Sequence, residues 1–288
     1  MISLTNFLTR GGGILLPPPL DIAGIPISMA YGIRRLRTAY AGPAIRVRRS
    51  TDNAVADIGL TPAGDLDVNT LMSFVGAASG YVTQWYDQSG NSRHVAQSVA
   101  SQQPRIVNAG VPEMSNSRPA VRFIHASSTV LTNPTSTGTA LKSGYIGAML
   151  FVMECVPGSS VGGWGSVNNP RWQAHTDHGE GDLMFDPGNG ATARVLVLNS
   201  ANENRLMQYS CVAGASQGAI YTNGTLMAAG GKPVATSIGT FDLGGITAFP
   251  YYHDAHISEF ILLGDAPTDA SRQSIGSNQS QYFGLGTH

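Results

Sequence analysis

Charge is scarce in this chain of 288 residues. Charged residues make up 12% of it, about half the ~25% of an average soluble domain. Lysine occurs twice and glutamate five times, which excludes a coiled coil. Seventeen basic residues against eighteen acidic ones give a formal charge of −1, so the electrostatic footprint of a nucleic-acid binder is missing. Cysteine occurs only as Cys155 and Cys211, on separate apolar segments and with no CxxC spacing. Neither a disulfide framework nor a thiolate metal site is expected. The apolar stretch 14–20 is short, carries three prolines and lacks a basic flank. No signal peptide and no membrane insertion are expected from it, and synthesis in a cytosol is.

Glycine is abundant, at 35 residues, and hydrophobic residues make up 42%. That content can bury a core, and a turn-rich, weakly charged chain of this length fits one large all-β domain. Strand signals recur at short spacing from residue 30. Ile45 and Val47 alternate with Arg46 and Arg48, the half-buried strand pattern. Further strands are read at 80–86, 120–123, 145–156, 193–198 and 257–263. The pair Asn223-Gly224 joins two of the strands, at 219–228, into a two-residue hairpin. Two helices are expected. Asp67 caps a short one, and 269–282 forms a C-terminal one with Thr268 or Asp269 as cap.

Residues 1–29 read as an extended arm and residues 30–288 as the folded domain. The arm has glycine and proline punctuation and apolar side chains, among them Phe7, Leu8, Ile14, Leu15 and Leu16. It either packs on its own domain or docks on another subunit. Six arginines (34, 35, 37, 46, 48 and 49) fall within sixteen positions. They form either a solvated face with local ion pairs to Asp52 and Asp57, or a docking face for an acidic partner. Arg34, Arg35 and Arg37 are the residues that would join the arm in docking.

The run AYGIRRLRTAYAGPAIRVRRSTDNAVADIG, followed by GYVTQWYDQSGNSRHVAQ, resembles the opening of the catalytic domain of fungal-type α-L-arabinofuranosidases. The motif from Trp85 to Asn91 (WYDQSGN) is its most specific part. The same opening is similar to that of bacteriophage virion proteins carrying this sandwich. PRIVNAG, RPAVRF, RWQAH with GDLMFDPGN, and the closing HISEFILLGDAPTDASRQSIGSNQSQYFGL continue the resemblance over about residues 30–285. It implies a concanavalin A-like, laminin-G-like jelly-roll β-sandwich with an N-terminal arm and a short C-terminal helix.

What it implies about function is less specific, since such sandwiches host enzymes, lectins and structural modules. A retaining glycosidase needs two carboxyl groups about 5–5.5 Å apart. The enzymes' pattern supplies a glutamate in a Glu-Asn-Gly setting beside adjacent cysteines, and an aspartate in a GGDNS-like turn. This chain has no adjacent cysteines and no such glutamate. Glu180 as nucleophile and Asp242, or Asp254, as acid are the nearest candidates. Trp164, Trp172, His175 and Asp177 are candidates for glycan contact, and Asp177, Glu180 and Asp182 for oxygen ligands of a calcium ion; no other cofactor is expected. With the enzyme pattern broken, the expectation is a non-enzymatic bacteriophage virion protein, made in the host bacterial cytoplasm. It would be a capsid decoration or head-fibre protein docking through its arm to capsid or tail subunits, as a homo-oligomer such as a trimer. The alternatives are a tail-associated lectin-like protein recognising host surface glycan and an arabinofuranosidase-like hydrolase.

Overall fold

The computed structural model describes residues 17–22, 24–135, 137–155, 164–165, 171–178, 181–188, 192–198, 204–235, 240–247 and 251–285. The strands fold into the two packed layers of a jelly-roll sandwich. In the first layer the strand Ala255–Leu263 is central. It pairs antiparallel with Gly147–Cys155 on one side, and with Ile27–Gly32 and Val121–Phe123 on the other. Gly147–Cys155 continues to Leu206–Ala213, Gly218–Thr222 and Thr225–Gly230. In the second layer Val55–Ile58, Ile45–Arg49, Gly80–Trp85, Val95–Ala96, Leu131–Asn133 and Phe241–Leu243 pair in that order. The ladder goes on through Trp164–Gly165, Arg171–His178, Asp182–Gly188 and Val195–Val197. The strand Arg105–Asn108 links the layers, pairing with Gly80–Trp85 and with Val121–Phe123.

Alternation along the strands decides which side chains fill the space between the layers. Phe151, Met153, Tyr209, Phe260 and Leu262 from the first layer meet Val47, Trp85, Trp172, Phe185 and Phe241 from the second in one buried cluster. Phe151 stacks on Tyr209 at 4.9 Å between ring centres. The outer face of the first layer is closed by the C-terminal helix, Asp269–Phe283. Its Ile275 packs with Ala148, Leu150, Ile261 and Leu263.

The local chemistry that the sequence suggests is present. Asp67 caps the helix Val68–Val75 by accepting from Thr70 N. Thr268 caps the C-terminal helix by accepting from Ser271 N. Asn223 and Gly224 take positive φ in the hairpin, +44° and +80°, as a turn with both central residues left-handed requires. Asp87, in the shared motif, is a structural staple. Its carboxylate accepts from Ala30 N, Ser89 N, Ser89 Oγ and Arg93 N, and ties the motif's turn to the first strand.

The domain begins before residue 30. Ile27–Gly32 is a full member of the first layer, and Leu20 is buried with Leu36 and Ile275. Asn278 Nδ2 donates to Pro17 O. Residues 1–16, with Phe7, Leu8, Ile14, Leu15 and Leu16, lie outside the described residues. The arginine-rich face is spent inside the fold. Arg34 is buried in an ion pair with Glu259, Nε to Oε2 2.7 Å. Arg46 pairs with Asp57 and Arg49 with Asp52. Arg48 donates to Gln103 and Asn53. Arg35 and Arg37 are half-buried.

Candidate active site

One line of residues crosses the whole second layer. Register places Asp57, Arg46, Gln84, Ala96, Thr132, Asp242, Gly165, Gln173 and Asp186 directly opposite one another, strand after strand. Directly opposed residues share a face. The chain neighbours of this line (Ile45, Val47, Trp85, Val95, Leu131, Phe241, Leu243, Trp172 and Phe185) point into the core. The line therefore runs along the outer face, a polar row broken only by the small residues Ala96 and Gly165.

The row passes from open to covered. Asp57 and Arg46 at one end are 40% and 44% exposed in their side chains. Thr132 is half-buried, and from Asp242 onward the described side chains are buried. Asp186, at the covered end, lies between two guanidinium groups. Arg194 Nε donates at 2.8 Å and Arg171 Nε at 3.0 Å. Burial opposes its ionisation, but the bonds and charges of Arg194 and Arg171 hold it below the ordinary carboxylate range.

Asp242 is equally buried, at 0% exposure, yet no cation faces it among the described residues. Thr132 Oγ1 donates to Oδ1 at 2.8 Å, and Thr247 N and Oγ1 both donate to Oδ2 at 2.8 Å. Burial outweighs these bonds and lifts Asp242 above the usual carboxylate range. Beside it on the row, Gln173 Oε1 is buried without a hydrogen-bond partner. His175 lies on the same strand face two residues on, edge-on to Tyr251 at 6.2 Å. His253 is held neutral, its pKa pushed down to about 3 by burial and by the neighbouring His175. A buried carboxyl group with a raised pKa, set among hydrogen-bonding groups, suits general-acid chemistry.

Of the other sequence candidates, Trp172 is a core residue. It is fully buried, edge-on to Phe185, with Nε1 donating to Tyr145 O, so it offers no face to a glycan. His175 is 2% exposed. The side chains of Trp164 and Asp177, and Glu180 entirely, lie outside the described residues. Asp182 is half-buried. Among the described residues no three His, Cys, Asp or Glu side chains converge as a metal-holding group. Sequence reasoning weighs Asp186 among the central acidic residues without giving it a role, and misses Gln173, Thr132 and Thr247. Strand alternation puts Asp186, Gln173 and Thr132 each on an outer face, but the row emerges only once the pairing is known.

Comparison with known proteins bears on what this face does. The family model of the catalytic domain of α-L-arabinofuranosidase B matches residues 20–134. A probable α-L-arabinofuranosidase B of Aspergillus fumigatus is 34% identical over 95 residues, covering 31% of this chain and 19% of that protein. The α-L-arabinofuranosidase B of Penicillium canescens is 36% identical over 84 residues, covering 27% and 18%. The chain thus spans about a fifth of the length of these relatives. Among solved structures, an arabinofuranosidase complexed with arabinofuranosyl-α-1,2-xylobiose superimposes with a TM-score of 0.67. It covers 91% of this chain and 64% of that one at 17% identity. A GH54 α-L-arabinofuranosidase soaked with a cyclic sulfate inhibitor gives 0.66, with the same coverage and 19% identity. These structural matches bear out the jelly-roll sandwich.

The same matches overturn the expectation of a non-enzymatic virion protein. The family model and the curated relatives named above are arabinofuranosidases, not particle components. The docking partners, the particle-derived trimer and the virion location rested on that reading and fall with it. The arginines meant for docking are already engaged or half-buried within the fold. The broken catalytic motif, on which the reading was built, lies beyond residues 20–134, where the family match is carried. Among the described residues no helix is long and apolar enough to cross a membrane.

Proposed function

We propose that this chain is the hydrolytic module of an α-L-arabinofuranosidase-type glycoside hydrolase, and that its substrate binds over the polar row of the second layer. The observation that carries the reading is Asp242: a buried carboxyl group lifted in pKa, without a counter-charge, in the middle of a polar face. The match of residues 20–134 to the arabinofuranosidase catalytic family supports it.

In this reading Asp242 is the general acid and Glu180 the nucleophile. The Asp242 proton passes to the glycosidic oxygen as the bond from that oxygen to the anomeric carbon breaks. Glu180 forms a bond to the same carbon. Water then attacks the glycosyl–Glu180 ester, giving its proton back to Asp242 and freeing the Glu180 carboxylate. Asp186 is not the second carboxyl. It stands three strands from Asp242, at about 4.8 Å per strand and so ~14 Å away, beyond the ~6.5–9.5 Å of even an inverting pair.

The test is release of nitrophenol from 4-nitrophenyl α-L-arabinofuranoside by the whole chain, with Glu180→Gln alongside. Turnover in the parent and its loss in Glu180→Gln are expected. No turnover in the parent overturns the reading.

A further inference from the structure

An open groove lies on the other side of the sandwich from the polar row, where the C-terminal helix ends. Its volume is about 590 Å³, and its walls include Asn116, Glu154, Asn204, Arg205 and Asn223 over apolar Leu206, Met207 and Leu285. Glu154 and Leu206 are directly paired across their strands. They sit on the helix side of the first layer, away from the polar row.

The three asparagines owe their type to turns, since each has positive φ: 45°, 54° and 44°. What matters is how much hydrogen-bonding capacity remains around the groove. Asn116 Nδ2 donates to Phe283 O, which among the described residues leaves its Oδ1 uncommitted. Asn223 Oδ1 accepts from Gln208 N, and among the described residues its Nδ2 has only the weak thioether acceptor of Met207. Glu154 spends one oxygen on Ser115 Oγ. Arg205 is exposed and has no ion-pair partner among the described residues. The groove so combines spare donors, spare acceptors, one charge of each sign and an apolar floor, at a volume in the range of small-molecule sites.

We infer that this groove binds a neutral oligosaccharide, as a second saccharide site apart from the hydrolytic face. Sugar hydroxyls both donate and accept, matching the mixed rim, and the C–H face of a pyranose or furanose ring suits Leu206, Met207 and Leu285. The opposed charges of Glu154 and Arg205 cancel, which disfavours a strongly anionic or cationic ligand. The inference rests on the proposed function only for the choice of sugar. Its role would be to hold polymeric substrate while the polar row acts on a side chain.

The experiment is a titration of the whole chain, labelled with ¹⁵N and carrying Asp242→Asn to suppress turnover, with arabinofuranosyl-xylobiose. Shifts are expected in the backbone and Nε signals of Arg205 and in the side-chain amide of Asn204. Binding should weaken about tenfold in Arg205→Ala, the scale of one charge-assisted hydrogen bond. Glu154→Gln is a second variant, expected to weaken it by a similar factor. Arg205→Ala should leave hydrolysis of 4-nitrophenyl α-L-arabinofuranoside unchanged in the parent background. Unmoved groove signals at millimolar sugar, or an affinity unchanged from the parent's in both variants, overturn the inference. Shifts at the groove in a chain that never hydrolyses the nitrophenyl substrate would uphold the groove and defeat only the hydrolytic reading.

Discussion

Two carboxylates, one on each outer face of the sandwich, are both fully buried and have opposite surroundings. Glu259, under the C-terminal helix, receives Arg34 Nε at 2.7 Å and Gln279 Nε2 at 3.1 Å. Arg34 in turn lies over the Tyr282 ring, 4.4 Å from its centre. Among the described residues Asp242, on the polar row, receives only threonine hydroxyls and one backbone N–H. A buried anion with a matched cation is a fastener between helix and sheet. A buried carboxyl without one resists ionisation, and its proton becomes available to a substrate. Burial alone therefore does not distinguish the two carboxyl groups; a facing cation at Glu259 does.

The comparison breaks first at Glu259. Glu259→Ala leaves Arg34 buried and unpaired, and unfolding in urea should show a loss of about 3–5 kcal/mol. A loss below about 1 kcal/mol would mean that the pair is not a fastener. Next comes acid sensitivity. His253 is neutral in the fold, with a pKa of about 3 against an ordinary 6.5. Its contribution to stability is complete above about pH 6.5 and is lost as pH falls from there toward 3, because the unfolded chain takes up the proton first. Thermal midpoints measured from pH 7 to 4 should fall. The fall should be shallower in His253→Gln once its lower starting stability is subtracted.

Thr132→Val is a finer probe. It removes a bond that favours ionised Asp242, so any alkaline limb of the hydrolysis profile should move to higher pH. A shift to lower pH would show that Thr132 does not act through this carboxylate. The smallest effect belongs to the open end of the row. Arg46 and Asp57 are well exposed, and Asp57→Asn should change stability by about 0–1 kcal/mol, with the difference shrinking in salt.

Much of the sandwich can be read from local chemistry. The alternation at Ile45–Arg49, the Asn223-Gly224 turn and the Asp67 and Thr268 caps each depend on a few adjacent residues, and each appears where the residues dictate it. Asp242 is visible too, as an aspartate among glycines near the last core strand. Its surroundings are not. Thr132, Gln173 and Asp186 reach it only through strand pairings between segments more than fifty residues apart. Trp172 illustrates the opposite failure. An aromatic residue beside polar ones looks like a sugar platform, but its place on the inner side of Arg171–His178 makes it core. The arginine cluster misleads for a similar reason. A run of positive charge reads as a docking face, whereas Asp52, Asp57 and the distant Glu259 take up three of its members.

The most direct test of the central claim compares two leaving groups. A sugar alkoxide needs a proton to depart, whereas nitrophenolate leaves largely unaided. If Asp242 is the general acid, Asp242→Asn should slow release of arabinose from arabinofuranosyl-xylobiose by about 10²–10⁴-fold. The same substitution should slow the glycosyl-transfer step with 4-nitrophenyl α-L-arabinofuranoside far less. An equal loss on both substrates, or none on either, would contradict the assignment of Asp242 as the proton donor.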